Sequence, residues 1–234
     1  MKQPSKSPPD TAEGGGDRGD ITRQKLLNAA IDVFGQYGFD GTSTRALASA
    51  AGVNLQAIPY YFGGKEGLYL AAAEHLATTI SSHVGGRRQQ VQARLAEIQS
   101  EGRPPTREEA RELLTSLLHT LAEVMVSEKS RSWARFLIRE QMAPTEAFTK
   151  VYEAVMRPML EAVRRLVAIL IGETPDSERA RLRAFSLVGS VMVFRVANAA
   201  VMRQLEWSEI GPKELDAIHG MVAEVVRSLD GGVV

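Results

Sequence analysis

A helical period of apolar residues runs through nearly every segment of this 234-residue chain, and no segment shows the strict alternation of a half-buried strand. The expectation is an all-α fold. In the first segment Leu26, Ala29, Ala30, Val33, Phe34 and Tyr37 follow the spacing of one helical face. Asp20 is placed to cap its start and Gly38 to stop it. Ser43 to Ala51 reads as a second, short helix ended by Gly52, and Asn54 opens a third. A longer helix begins near Lys65, with Leu68, Ala72, His75, Leu76, Thr79 and His83 along one face, and Gly85-Gly86 is expected to break it.

The second half continues in the same style. Arg87 to Gln99 is a polar amphipathic piece ended by Gly102, Pro104 and Pro105. Thr106 and Glu109 form a capping-box pattern that opens a helix through Val126. Ser130 to Met142 stops before Pro144, and Thr145 to Ile171 runs on with a kink expected at Pro158. Thr174-Pro175 resembles a cap followed by proline at the first helical position, opening Asp176 to Leu205. Gly211-Pro212 opens the last helix, to about Leu229. No internal repeat of fixed period is present.

Composition excludes several classes of function. With no cysteine, the chain holds no disulfide, thiol nucleophile or cysteine-based metal site, which suits the reducing cytoplasm. The four histidines are His75, His83, His119 and His219; the first two lie eight residues apart, too far for shared ligation at the usual i, i+4 spacing. No nucleophile elbow, phosphate-binding loop or dinucleotide fingerprint appears, so neither an enzyme nor a resident cofactor or metal is expected. Residues 1–19 mix Pro, Gly and charges without an apolar run and read as a disordered tail, not a signal peptide. Ala184 to Met202 carries a single charge, Arg195, but Ser186, Ser190 and Asn198 interrupt it. A buried core helix is expected there in place of a membrane span, and no membrane partner.

Residues 20–62 have the order of a helix-turn-helix: a packing helix, a supporting helix, a tight glycine turn and a short reading helix. In Ala50-Ala51-Gly52-Val53-Asn54 the small residues permit close, steep packing, Gly52 supplies the turn, and Asn54 caps the next helix through its side-chain oxygen. Tyr60 and Tyr61 are adjacent and cannot both point inward from one short helix. Phe34, Tyr37 and Phe62 are expected in the core. Net charge is zero, and the first 66 residues carry seven Lys/Arg and seven Asp/Glu. Affinity for a polyanion must therefore come from the placement of a few cations, not from a general basic field.

The stretch FGQYGFDGTSTRALASAAGVNLQAIPYYFGGKEGLY is similar to the N-terminal domain of the TetR family of transcriptional regulators. The marks are Phe34, Tyr37-Gly38, Thr42-Ser43, Ala48, Ala51-Gly52-Val53, Tyr61-Phe62, Lys65-Glu66 and Leu68, and the resemblance covers about residues 20–70. AIPYYFGGKEGLY also resembles the subgroup with a CecR-type C-terminal domain. After the tail over 1–19, the resemblance implies a helix-turn-helix domain over 20–66 and a helical ligand-binding and dimerisation domain over 67–234. It implies double-stranded operator DNA, a small-molecule effector and a second copy of the chain as partners, with repression as the default.

Roles follow by position. Ser43 would cap the supporting helix, with Thr42 or Thr44 offering a hydroxyl to phosphate and Arg45 reaching the backbone or a groove edge. Leu55, Gln56 and Ala57 would lie on the exposed first turn after Asn54, where Gln56 can pair with adenine and an apolar side chain can meet a thymine methyl. Tyr60 or Tyr61 would donate to phosphate, and Lys65 would act as a point charge. Two departures stand out: Leu55 and Ala57 replace the basic or hydroxyl residues frequent in the family, and Pro59 replaces a frequent aromatic and removes an amide bond back to Leu55.

In the larger domain, Leu215, Ile218, Val222, Val225 and Leu229 recur at alternating spacings of three and four, a short seam of the coiled-coil kind. Gly189, Ala197 and Ala200 permit close approach of an apolar helix; these eight positions are the expected dimer interface. Trp133, Phe136, Phe148, Tyr152, Met156 and Met159, with Phe194 and Met202, are candidates to line an effector cavity. Arg195 and Asn198 would be its polar groups, the alternative being an arginine satisfied by an internal carboxylate or by helix-end carbonyls. A helical protein–protein adaptor without DNA binding is the rival function. Steep salt dependence of DNA affinity separates the two.

Overall fold

The computed structural model describes residues 15–231. Among them every regular element is a helix: α1 (Gly15–Tyr37), α2 (Thr44–Ala51), α3 (Ala57–Phe62), α4 (Lys65–Ser100), α5 (Arg107–Val126), α6 (Ser130–Met142), α7 (Glu146–Val151), α8 (Arg157–Ile171), α9 (Glu178–Val196), α10 (Asn198–Gln204) and α11 (Pro212–Arg227). A π-helical turn, Tyr152–Met156, joins α7 to α8, and a 3₁₀ turn follows α11. The described residues divide into two compact units, one ending at Ala72 and one beginning at Ala73. Most of the expected tail lies outside the described residues, and α1 is already helical at Gly15, so Asp20 stands inside the helix and not at its cap.

In the smaller unit α1, α2 and α3 pack around Leu26, Leu27, Ala30, Ile31, Phe34, Leu47 and Ile58, all buried. Gly38 takes a left-handed φ of 76° and turns the chain back, bringing the Phe39 ring within 6.0 Å of Phe34. Tyr69 then packs edge-on against both rings, at 4.8 and 5.2 Å. This cluster takes the place expected of Tyr37, which is 55% exposed. The first turns of α4, through Leu68, Tyr69 and Ala72, thus belong to the smaller unit, six residues beyond the boundary read from the sequence.

In the larger unit α5 is central and packs against α8, α9 and α11. Its capping box forms as the sequence predicts: Glu109 N–H donates to Thr106 Oγ1 and Thr106 N–H donates to Glu109 Oε2. Other expectations are corrected. Gly85-Gly86 does not break α4, because Val84, Val91 and Ile98 bury one stripe across the pair and hold the helix together. Pro158 produces no simple kink; the disruption is taken up just before it by the π turn, where Arg157 N–H reaches Tyr152 O. Pro158 has no N–H for the Ala154 carbonyl, and Ser81 Oγ donates to that oxygen at 3.3 Å.

Ser177, not Thr174, caps α9, accepting from Ala180 N–H at 3.1 Å. The expected single helix from Asp176 to Leu205 is two, α9 and α10, bent by 82° at Ala197. Among the described residues no single helix is long and apolar enough to cross a membrane.

Candidate nucleic-acid interface and apolar cavity

Local chemistry sets the surface of the smaller unit. Ser43 caps α2, its Oγ accepting from Ala46 N–H at 3.1 Å, and Gly52 ends it in the left-handed conformation. Asn54 Oδ1 accepts from Gln56 N–H at 2.9 Å and organises the entry to α3. Because Pro59 cannot donate, Leu55 O accepts from Ile58 N–H three residues on, and Asn54 O likewise from Ala57 N–H. The reading helix therefore begins as a tight turn and reaches the regular four-residue spacing only with Tyr60 N–H donating to Gln56 O. Ile58 is fully buried and anchors it; Leu55, Gln56 and Pro59 face solvent, and Ala57 is half-buried. Gly67 is required for the return into α4, since a Cβ there would collide with the Phe62 carbonyl oxygen.

Tyr60 is 81% exposed, while Tyr61 is half-buried and packs edge-on against it at 4.7 Å. Phe62 packs inward only in part, with the Arg23 guanidinium 5.6 Å from its ring centroid. Arg45 is exposed, and Lys65 Nζ sits 4.3 Å over the Phe39 ring. One expected contact is lost: Thr42 is buried and donates its hydroxyl to Gly38 O at 2.6 Å, closing the turn between α1 and α2. Thr44 is the member of that pair that reaches the surface. Thr22 and Lys25, on a helix whose sequence pattern marks only its packing face, line an open concavity of about 780 Å³ with Asn54, Gln56 and Tyr60. Their one signal in the sequence is a cation on the polar side of α1.

The larger unit holds an apolar cavity of about 200 Å³. Ile80 and Val84 of α4, Leu121 and Met125 of α5, Val155 and Met156 of the π turn, Met159 of α8 and Val188 and Met192 of α9 form its walls. Gln141 is the one residue with a polar side chain in this lining, and its Nε2 lies 3.5 Å from Met156 Sδ. Of the expected lining residues only Met156 and Met159 are present. Trp133, Phe136 and Phe194 are buried core, and Phe148 stacks on Tyr152 at 5.7 Å. Tyr152 lines a separate surface pocket.

Arg195 and Asn198 do not face the cavity. Arg195 Nε donates to Met125 O at 2.6 Å and Nη2 to Ser127 O at 2.7 Å, carbonyls at and just past the end of α5 that Ser130 Oγ also serves. Burial, and secondarily the nearby Arg131 charge, lower its pKa. Asn198 Nδ2 donates to Phe194 O across the bend between α9 and α10.

The seam on α11 is also corrected in part. Ile218 and Val222 are buried within the protomer, where α11 packs on α5, and Leu229 is buried on the 3₁₀ turn that packs on α8, while Leu215 and Val225 are half-buried. Gly189 and Ala200 are exposed and Ala197 is half-buried. Leu182, Phe185, Val193 and Val196 join Gly189 in an exposed stripe along α9.

A three-helix unit with a capped, outward-facing reading turn, joined to a larger helical unit that holds a cavity, is the architecture of a helix-turn-helix regulator. Residues 26–72 match the family model for bacterial regulatory proteins of the tetR family, and residues 110–233 match the C-terminal domain of the HTH-type transcriptional dual regulator CecR. The chain belongs to the tetR family of transcriptional regulators, which are not enzymes. It is 30% identical to the HTH-type transcriptional dual regulator CecR of Shigella flexneri over 205 residues, 88% of this chain and 89% of that one. The fold is shared with AibR, solved with isovaleryl coenzyme A and operator DNA (TM-score 0.60, 16% identity, 87% of this chain and 97% of that one). It is shared too with FadR from Bacillus subtilis, solved with stearoyl-CoA (TM-score 0.54, 16% identity, 90% and 98%).

Proposed function

We propose that the protein is a repressor that binds a near-palindromic operator as a homodimer and is released when a small apolar or amphipathic molecule occupies the larger unit. The observation that carries the reading is the turn from Asn54 to Tyr60, held by an internal cap and a buried Ile58 while Leu55, Gln56 and Tyr60 face outward. A reading helix needs that presentation, with Gln56 placed for a base edge and Thr44, Arg45, Tyr60 and Lys65 for phosphates. Lys25 joins them from α1.

Leu182, Val193 and Val196 of the exposed stripe of α9, with Leu215 and Val225 of α11, form the surface for the second copy; a two-fold pair presents two reading helices to successive major grooves, ~34 Å apart. Effector response is supported by the apolar cavity and by the coenzyme A thioesters in the AibR and FadR structures. Ile80 and Val84 of the cavity wall lie on α4, the helix that begins at Lys65. A ligand that favours one position of this helix shifts the population that fits DNA.

Selection from a random duplex library at moderate salt, followed by sequencing, tests the reading. Enrichment of a near-palindrome is expected. Gln56→Ala should then change the preferred sequence, while Lys65→Ala should weaken all sequences alike and flatten the salt slope by about one unit. No enrichment at any salt would favour the adaptor alternative.

A further inference from the structure

The apolar cavity has a basic neighbour. A pocket of about 310 Å³ on the same unit is lined by Arg157, Arg164 and Arg181, with Glu161 as the one acid, and it shares Leu160 and Phe185 with the apolar cavity. Two side chains are thus common to the wall of an apolar compartment and that of an arginine-lined one. Arg157 pairs with Glu153 at 2.5 Å and lies over the Tyr152 ring. Arg164 and Arg181 both lean on one oxygen of Asp176, at 3.3 and 3.5 Å, and that carboxylate is itself mostly exposed. Two guanidiniums therefore share one well-solvated anion, a weak arrangement that a stronger acceptor can displace. The Nε of Arg164 is buried with no hydrogen-bond partner, an orphaned donor of the kind that folded proteins rarely leave.

We infer that the two compartments form one site for an anionic amphiphile. Its tail fills the cavity beside Val155, Met156 and Met159, and its carboxylate or phosphate head is held by Arg157, Arg164 and Arg181. The tail compartment, about 200 Å³ and lined almost wholly by apolar side chains, suits a short alkyl chain. The head compartment offers planar, forked donors suited to two-oxygen recognition. Phe185, 61% exposed and common to both linings, stands between them. This assignment rests on the effector-responsive reading above and names the class of effector.

The test measures binding of octyl phosphate, octanoate and 1-octanol, each below its micellar concentration, to the full chain by calorimetry. The two anions should bind at least about tenfold more tightly than the alcohol, and comparison of the two separates a phosphate site from a carboxylate site. Arg181→Gln, at an exposed position, and Arg164→Gln should each reduce anion affinity about fivefold or more and leave octanol unchanged. Val155→Phe should weaken all three. Equal affinity for alcohol and anions, or no selective loss in either arginine variant, would overturn the assignment. Operator affinity is read in parallel. Arginine-dependent binding without operator release supports the site and removes the effector reading. Release by octanol, insensitive to both arginine variants, leaves the effector reading standing and overturns the site.

Discussion

The smaller unit and the larger one differ in what places their helices. In the smaller, boundaries are set by groups adjacent in the chain: Ser43 on Ala46, Asn54 on Gln56, Gly38 and Gly52 in left-handed turns. In the larger, partners distant in sequence override local preference. Gly85-Gly86 stays helical, Ser81 serves a carbonyl 73 residues away, and Arg195 closes the end of α5 from α9. Local chemistry is written where a reader of sequence looks; packing partners are not.

The largest expected effect tests the smaller unit, where the helical spacing makes Phe34 and Tyr37 look alike. Phe34 is 1% exposed and meets Phe39 and Tyr69, so Phe34→Ala should cost roughly 3–5 kcal/mol, measured as a shift of the urea midpoint of that unit. Tyr37→Ala should cost under about 1 kcal/mol. Comparable losses would return Tyr37 to the core and undo the placement of Phe39.

That pair also shows how far sequence reaches. The all-helical class, the reading turn, the Thr106–Glu109 box and the bounds of α6 were legible because each depends on residues within a turn of one another. Periodicity gave the stripe of α1 but not its edge, since Phe39 enters the core only after the chain reverses at Gly38. Trp133, Phe136 and Phe194 have the composition of a pocket lining yet lie in the core, because which aromatic faces a void depends on where α5, α8 and α9 leave space. The bend at Ala197 has no local marker; it follows a helix whose last turn is tied to α5 through Arg195. The arginine-lined pocket has no sequence signal because Arg157, Arg164 and Arg181 converge from two helices and look, in sequence, like solvated charges.

A smaller effect tests the larger unit. Gly85 and Gly86 lie within α4, and a Cβ on either would meet nothing within 4 Å. Gly85→Ala and Gly86→Ala should therefore each stabilise by roughly 0.5–1 kcal/mol, through the lower conformational freedom of alanine in the unfolded chain. A loss of stability in both would mean that the helix breaks there, as local preference alone would have it.

An effect of similar size, but dependent on pH, lies where local and distant chemistry meet, at the start of α5. Arg103 binds both carboxylate oxygens of Glu109 at 2.8 Å, and Arg94 approaches at 3.3 Å from α4. The side-chain bonds from Arg103, then the Thr106 N–H, hold the Glu109 carboxyl far below the usual carboxylate range. A pKa lowered on folding means that the unfolded chain binds the proton first as pH drops. The stabilisation is therefore complete above the ordinary glutamate pKa, about 4.3, and is lost as pH falls from there toward the folded value. Glu109→Gln should lower the urea midpoint at pH 7, and the gap to the unsubstituted protein should narrow at pH 3. Thr106→Ala removes the hydroxyl acceptor but not the carboxylate, so it should cost about 1 kcal/mol with much weaker pH dependence. A gap for Glu109→Gln that is the same at both pH values would mean that the ion pair with Arg103 adds nothing, leaving the cap, a local device, to set the start of α5 alone.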